Sequence, residues 1–387
     1  MNGFFSRRCN TSRSEVPPSV LVVGQGPPTR GGIPTFVTDI TGDAWLGRRL
    51  SLRFLNTTPR GTKRPGSLHA SNLGFALRDA GRVFIGAVRS DIVHLNLAAA
   101  PTLPLLRAAF LSTVAKAGGA KVVLHAHTGR LPESMQSRTY RAVMMALLVV
   151  IDRLIVVSRS AESALSAAGR RIVRLENGID FGRVQTGPKA LDPPLLAFVG
   201  TVCERKGLMD LREALEILVE DFGRLPVRVV VMGDARQEGP GVFERVRRSF
   251  DEAGLAAVEF AGVIEPLKVT GILSEASIFC LPSHWEGFPL SILEAMSAGA
   301  AVVATSVGDI PEILDHGRAG LLVEVRDPAA LASALRSLIT EPEEARRLGA
   351  AARARVESVY GRDRMVRTLQ DIYLQALGSQ PRSPYSM

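Results

Sequence analysis

Short apolar runs rich in Val, Ile and Leu alternate with longer stretches of helical spacing along almost the whole chain. That alternation is the pattern of parallel sheets covered by helices, in which strands buried on both faces read as nearly continuous apolar segments. Two series of strands are predicted. The first spans residues 19–23, 50–55, 92–96, 121–125 and 153–157, and the second 195–199, 227–232, 258–261, 278–281, 301–304 and 320–323. Between them residues 182–194 read GRVQTGPKALDPP, rich in Gly and Pro and poor in apolar side chains, which marks a linker. The chain is therefore expected to be an α/β protein with one parallel-sheet domain over 19–181 and a second over 195–358. Beyond Pro342 it turns helical, at 345–359 and 362–377, while the polar ends 1–18 and 378–387 are expected to be disordered.

Composition supports this division and narrows the setting. With 387 residues and 46% hydrophobic content the chain can fill two sizeable cores. The longest apolar run, residues 142–151, is closed by Asp152 and Arg153 and falls well short of the roughly 20 residues of a membrane span. The first residues carry arginines with no long apolar core behind them, unlike a signal peptide. Cys9, Cys203 and Cys280 lie far apart without C-x-x-C spacing, so a reducing, cytoplasmic location is expected. Charge is uneven: residues 1–190 hold 26 Lys and Arg against 10 Asp and Glu, whereas the remainder hold 21 against 28. A basic half joined to an acidic half suggests an anionic partner for the first. Aromatics make up only 5% and do not interleave with the basic residues as in a base-stacking surface, so an anionic membrane surface is expected rather than nucleic acid. The apolar-basic helix at 140–151 suits that surface. Any one of these arginines is equally well explained as part of a solvated face.

Candidate chemistry falls where strands run into helices, the place at which open parallel sheets collect ligands. After the first strand, Gly24 and Gly26 fit the dinucleotide fingerprint, but Thr29 stands in place of its third glycine, which disfavours a nicotinamide cofactor. Gly31 and Gly32, before a helix beginning near Pro34, allow a phosphate or a sugar to approach the backbone closely; a plain tight turn is the alternative. His125 and His127 share a face if their strand persists, and His127 stands at its exit, where a side chain can reach a cleft. With no Asp, Glu or Cys cluster nearby and no D-x-D anywhere, no metal is expected; His69, His94, His284 and His316 read as structural. The loop at 198–208 carries Arg205 and Lys206, cations suited to a diphosphate or simply to a solvated turn.

The most informative segment is Glu286-Gly287-Phe288-Pro289-Leu290, followed by an apolar helix containing Glu294 and then Gly299. Pro289 suits the first turn of a helix, because its fixed φ fits and its missing N–H costs nothing there. The helix's free N–H groups would then address a phosphate or hydroxyl-bearing ligand, with the two carboxylates accepting hydrogen bonds from two different sugar rings.

Taken together, Gly31-Gly32, DIVHLN from Asp91, His127, NGID from Asn177, ERKGL from Glu204, Gly233-Asp234, LPSHWEGFPLSILEAMSAG from Leu281 and GDIPE from Gly308 resemble the family 4 retaining glycosyltransferases. The likeness runs from about residue 20 to about residue 373, and its most specific stretch is Glu286 to Glu294. The resemblance implies the GT-B architecture, two Rossmann-like domains facing across a cleft, with a terminal helix at 359–377 crossing back to the N-terminal domain. It further implies a nucleotide-sugar donor without a metal or other cofactor. Glu294 would bind the donor ribose; Glu286 with the backbone of Gly287, Phe288, Pro289 and Leu290 would contact the transferred sugar. Lys206, with Arg205 and the Gly31-Gly32 turn, would meet the diphosphate, and His127 would flank the reacting centre. Thr201 departs from the arginine common in the family after the glycine equivalent to Gly200, and Asp309 from the second glycine of a common pair. The expected reaction is metal-independent, retaining transfer by same-face attack to a lipid-linked or growing glycan in cell-surface polysaccharide synthesis, at the inner face of the cytoplasmic membrane. A nucleotide-sugar epimerase and a catalytically silent membrane scaffold are the rival readings.

Overall fold

A computed structural model describes residues 16–29, 31–58, 70–184, 186–187, 189, 192–235, 238–239 and 241–378. Among these, the first sheet contains β1 (Ser19–Gly24), β2 (Ser51–Asn56), β3 (Ile92–Leu97), β4 (Lys121–Ala126), β5 (Arg153–Val156) and β6 (Ile172–Arg174), in the order β2-β1-β3-β4-β5-β6. The second contains β7 (Leu195–Val199), β8 (Arg228–Met232), β9 (Glu259–Gly262), β10 (Ile278–Leu281), β11 (Ala301–Thr305) and β12 (Leu321–Val323), in the order β12-β11-β10-β7-β8-β9. Every pairing in both sheets is parallel. The two sheets form two Rossmann-like domains facing across a cleft.

Alternation along the strands of the first sheet builds a core layer on each face. Leu21, Val23, Leu95 and Leu124 face one way, under the helices Ala70–Ala87, Thr102–Ala117 and Arg138–Val150. Val20, Val22, Ile92 and Val123 face the other, under Phe36, Val37 and Ile40 of helix Gly32–Thr41 and Leu369, Ile372 and Tyr373 of helix Arg362–Ala376. The last helix thus returns to the N-terminal domain, and Tyr373 Oη lies 2.7 Å from His94 Nδ1 in its core. The second domain has one continuous core, which also takes in Val157 and Ile179 from the N-terminal half.

Each sheet has a switch point where the chain leaves in opposite directions: β1 lies between β2 and β3, and β7 between β10 and β8. Ligands of doubly wound sheets collect outside the carboxyl ends of strands at such points. The structure differs from the sequence reading in three places. β6 is an added strand of three half-buried residues between arginines, without the apolar run that marks the others. The first helix starts at Gly32, two residues before Pro34. Pro289 is the N-cap of helix Leu290–Ser297, with ψ 113°, rather than a member of its first turn. His69, most of the N-terminal extension and most of the tail lie outside the described residues.

Candidate active site

The carboxyl ends of β1, β4, β7 and β10 open onto one cleft of about 620 Å³ between the domains. Every residue expected above to meet the donor or flank the reacting centre lines it: Gly31, Gly32 and His127 from the N-terminal domain, and Arg205, Lys206, Glu286, Gly287, Phe288, Pro289, Leu290 and Glu294 from the C-terminal domain. They come from four separate segments of the chain. Thr201, Asp234, Asn177, Trp285 and Ser291 join them.

On the N-terminal side, His127 follows directly on β4, and its amide donates to Leu97 O at 3.1 Å. Its ring stacks on His125 at 3.8 Å and meets Phe36 edge-on at 5.1 Å. Burial pushes its pKa down to about 3, so the imidazole is neutral. Nε2 lies 3.1 Å from Asn96 Oδ1, an acceptor, which places the proton on Nε2 and leaves Nδ1 a hydrogen-bond acceptor. Asn96 carries no local motif, and sequence reasoning missed it. His94 and His125 are completely buried beneath His127; for His94 this matches its structural reading, while His125 does not reach the cleft.

On the C-terminal side, Arg205 and Lys206 sit on a single 3₁₀ turn, Glu204–Lys206, closed by Gly207 at φ 67°. A Cβ there would lie 1.8 Å from Pro282 O, so glycine lets this turn press against the end of β10. The contact brings the cations to Glu286. Lys206 Nζ donates to Glu286 Oε1 at 2.5 Å, Ser283 Oγ at 2.8 Å and Arg205 Nη1 at 3.4 Å. All three fall on Oε1, and no described residue donates to Oε2. The Arg205 guanidinium also stacks over Trp285 at 4.4 Å, and Arg130 of the N-terminal domain approaches the same ring at 5.3 Å. His284, read as structural, pairs with Asp210 at 3.0 Å.

Glu294 lies one turn inside helix Leu290–Ser297, on the wall of the cleft. Burial, aided by the charge of Asp39 across the cleft, pushes its carboxyl up to about 7. Where Gly129 meets Gly287 the domains touch backbone to backbone: a Cβ on Gly129 would lie 2.5 Å from Gly287 N. This cleft therefore offers neutral and anionic hydrogen-bonding groups together with two cations, all drawn from facing domains. Among the described residues, no group of three His, Cys, Asp or Glu side chains is placed to hold a metal ion.

Two facing Rossmann-like domains with the site between them have the GT-B architecture. Two family models match consecutive parts of the chain, Glycosyltransferase Family 4 over residues 34–183 and Glycosyl transferases group 1 over 193–341. The chain belongs to the family 4 glycosyltransferases. It is 28% identical over 311 residues to glycogen synthase of Mycobacterium tuberculosis, covering 76% of this chain and 72% of that one. Its fold is similar to sucrose-phosphate synthase from Thermosynechococcus elongatus, with a TM-score of 0.74, 19% identity and 93% and 99% of the two chains covered. It is also similar to Anabaena HepE in complex with UDP and glucose, with a TM-score of 0.73, 19% identity and 92% and 100% covered.

Proposed function

We propose that this glycosyltransferase moves a sugar from a nucleotide-sugar to a lipid-linked or growing glycan in cell-surface polysaccharide synthesis, with retention of configuration and without a metal. The observation that carries the reading is the convergence of Glu286, Lys206, Arg205, Glu294 and His127 on one interdomain cleft. In the free protein Lys206 and Arg205 neutralise Glu286. A bound diphosphate competes for both cations, and a sugar hydroxyl takes the place of the ammonium on the carboxylate. The cations and the N–H groups of helix Leu290–Ser297 then face the negative charge that grows on the leaving diphosphate. Arg205 supplies the charge that Thr201 lacks. Glu294 accepts from the ribose hydroxyls, and the bare Nδ1 of neutral His127 accepts from a hydroxyl of the transferred sugar. The acceptor hydroxyl attacks from the face that the diphosphate leaves, its proton passing to a departing phosphate oxygen as the bond from the anomeric carbon to that phosphate breaks, with the acceptor held by the N-terminal domain.

The location of the acceptor is supported by the outer face of that domain. Helices Ala70–Ala87, Thr102–Ala117 and Arg138–Val150 pack side by side and leave Leu77, Ile85, Val88, Leu106, Met145 and Val149 exposed, Val149 by 77%. Arg78, Arg82, Arg89, Arg138 and Arg141 stand exposed among them. Large apolar side chains interspersed with arginines suit the headgroup region of an anionic bilayer. No helix among the described residues is long and apolar enough to cross a membrane, so contact would be peripheral. The donor assignment is tested by measuring thermal stabilisation with a panel including UDP-glucose and GDP-mannose. At least one nucleotide-sugar is expected to raise the Tm of the native protein; a panel without effect on it contradicts the reading.

A further inference from the structure

The turn after β11 joins the two halves of the site in a way that neither the family motif nor the proposed chemistry uses. Asp309, 4% exposed, sends its carboxylate to the N-terminal domain, where the backbone N–H of Arg159 donates to Oδ1 at 3.1 Å and Oδ2 at 3.0 Å. Arg159 is the first residue of helix Arg159–Ala164, whose N-cap, Ser158, already accepts from Ala161 N. The Arg159 amide is thus one of the donors that a helix start leaves without an internal partner, and a carboxylate is the favoured acceptor there. The same turn holds the Glu286 loop from behind. Asp309 N donates to Gly287 O at 3.3 Å, and Gly308, at φ 56°, packs so closely that a Cβ would lie 2.3 Å from Glu286 O. On its other side the loop meets Gly129. Glu312, one turn on, receives Arg159 Nη2 at 2.5 Å and Arg174 Nη1 at 3.2 Å, both from the N-terminal domain.

We propose that Asp309 is a positioning residue that fastens the 286–287 loop to the N-terminal domain, so that closing the cleft and seating the sugar-binding loop are one event. This rests on the reading of that loop as part of the donor site. A glycine at 309 has no side chain to reach Arg159, so the substitution that departs from the family pattern is the one that creates the bridge. Burial raises the Asp309 carboxyl to about 6, opposed by the Arg159 amide and Arg174 and reinforced by Glu312 and Glu176. Asp309→Asn keeps an oxygen for the Arg159 amide without a charge to bury, so it is expected to keep the bridge.

Hydrogen exchange of the full-length protein, read by mass spectrometry without any ligand, tests the coupling. Arg159→Pro deletes the donor with little cost to the helix, because Pro is favoured at its first position and Ser158 is already extended at φ −132°, ψ 152°. Asp309→Ala and Arg159→Pro are expected to speed exchange of residues 284–290 about tenfold, the effect of losing one hydrogen bond. Asp309→Asn and Arg159→Ala, which keep acceptor and donor, should exchange there as the native protein does. Unchanged exchange at 284–290 in Arg159→Pro overturns the proposal, as does equal loosening by Arg159→Ala, which would assign the coupling to Glu312. Should Asp309→Ala fail to fold, Arg159→Pro carries the test alone. A protein that turns over no nucleotide-sugar would contradict the functional reading and leave this exchange pattern intact.

Discussion

Glu294 is the residue whose energetics and proposed role are most opposed. Its carboxyl is held at about 7, above the ordinary 4.5, so the folded protein takes up a proton that the unfolded chain releases near pH 4.5. The associated stability is present below about pH 4.5 and is lost as pH rises to 7. Glu294→Gln is therefore expected to match the native protein at pH 4 and to exceed it at pH 8, by up to about 3 kcal/mol in urea unfolding. The same variant should lose stabilisation by the nucleotide-sugar, since the amide offers the ribose one acceptor oxygen in place of two. A drop in stability at pH 8 would show that the carboxylate is favourably held in the free protein. The importance of Glu294 was legible in its spacing from Glu286. Its titration was not, because burial and Asp39 reach it from a helix some 250 residues away in sequence.

At the scale of elements, the strands were readable because parallel strands buried on both faces are written as unbroken Val, Ile and Leu runs. β6 escaped because its three residues lie half-buried among arginines, and pairing with β5 rather than apolar content makes it a strand. The candidate site was legible as a set of loops, each at the end of a strand. How those loops engage was not, since the Lys206 to Glu286 contact joins turns 80 residues apart and Asp309 to Arg159 spans 150. A pairwise test follows from the first contact. With both side chains about one-tenth exposed, Lys206→Met leaves Glu286 with poorer compensation and is expected to cost about 1–3 kcal/mol of stability. Lys206→Met combined with Glu286→Gln should recover most of that loss in a thermal melt. Turnover should stay about 10²-fold or more below the native level in both, because the leaving diphosphate lacks its cation. Native turnover in either variant would remove Lys206 from the chemistry.

The whole molecule is divided by charge as well as by fold. The N-terminal half carries 26 basic against 10 acidic residues and presents an apolar-basic face away from the cleft, while the remainder carries 21 against 28 and holds most of the donor-side motifs. Such a division suits the proposed contact of the N-terminal domain with an anionic bilayer. Vesicles containing anionic lipid are expected to bind the protein and neutral ones to bind it weakly; Ile85→Asp with Val149→Asp should reduce sedimentation with the anionic vesicles about tenfold or more. Equal binding to both kinds of vesicle would assign the exposed face to another role.

Sugar transfer in the interdomain cleft, with Glu286 at its centre, is the proposal on which the others depend. It is tested most directly by incubating the native protein and Glu286→Ala with the stabilising nucleotide-sugar, labelled in the sugar, and a lipid-linked glycan extract, then determining the product and its anomeric configuration. Label is expected to be joined to the glycan with the donor's configuration retained, with a loss of about 10²-fold or more in the variant. Full turnover by Glu286→Ala, or labelled donor recovered as its epimer, would contradict it.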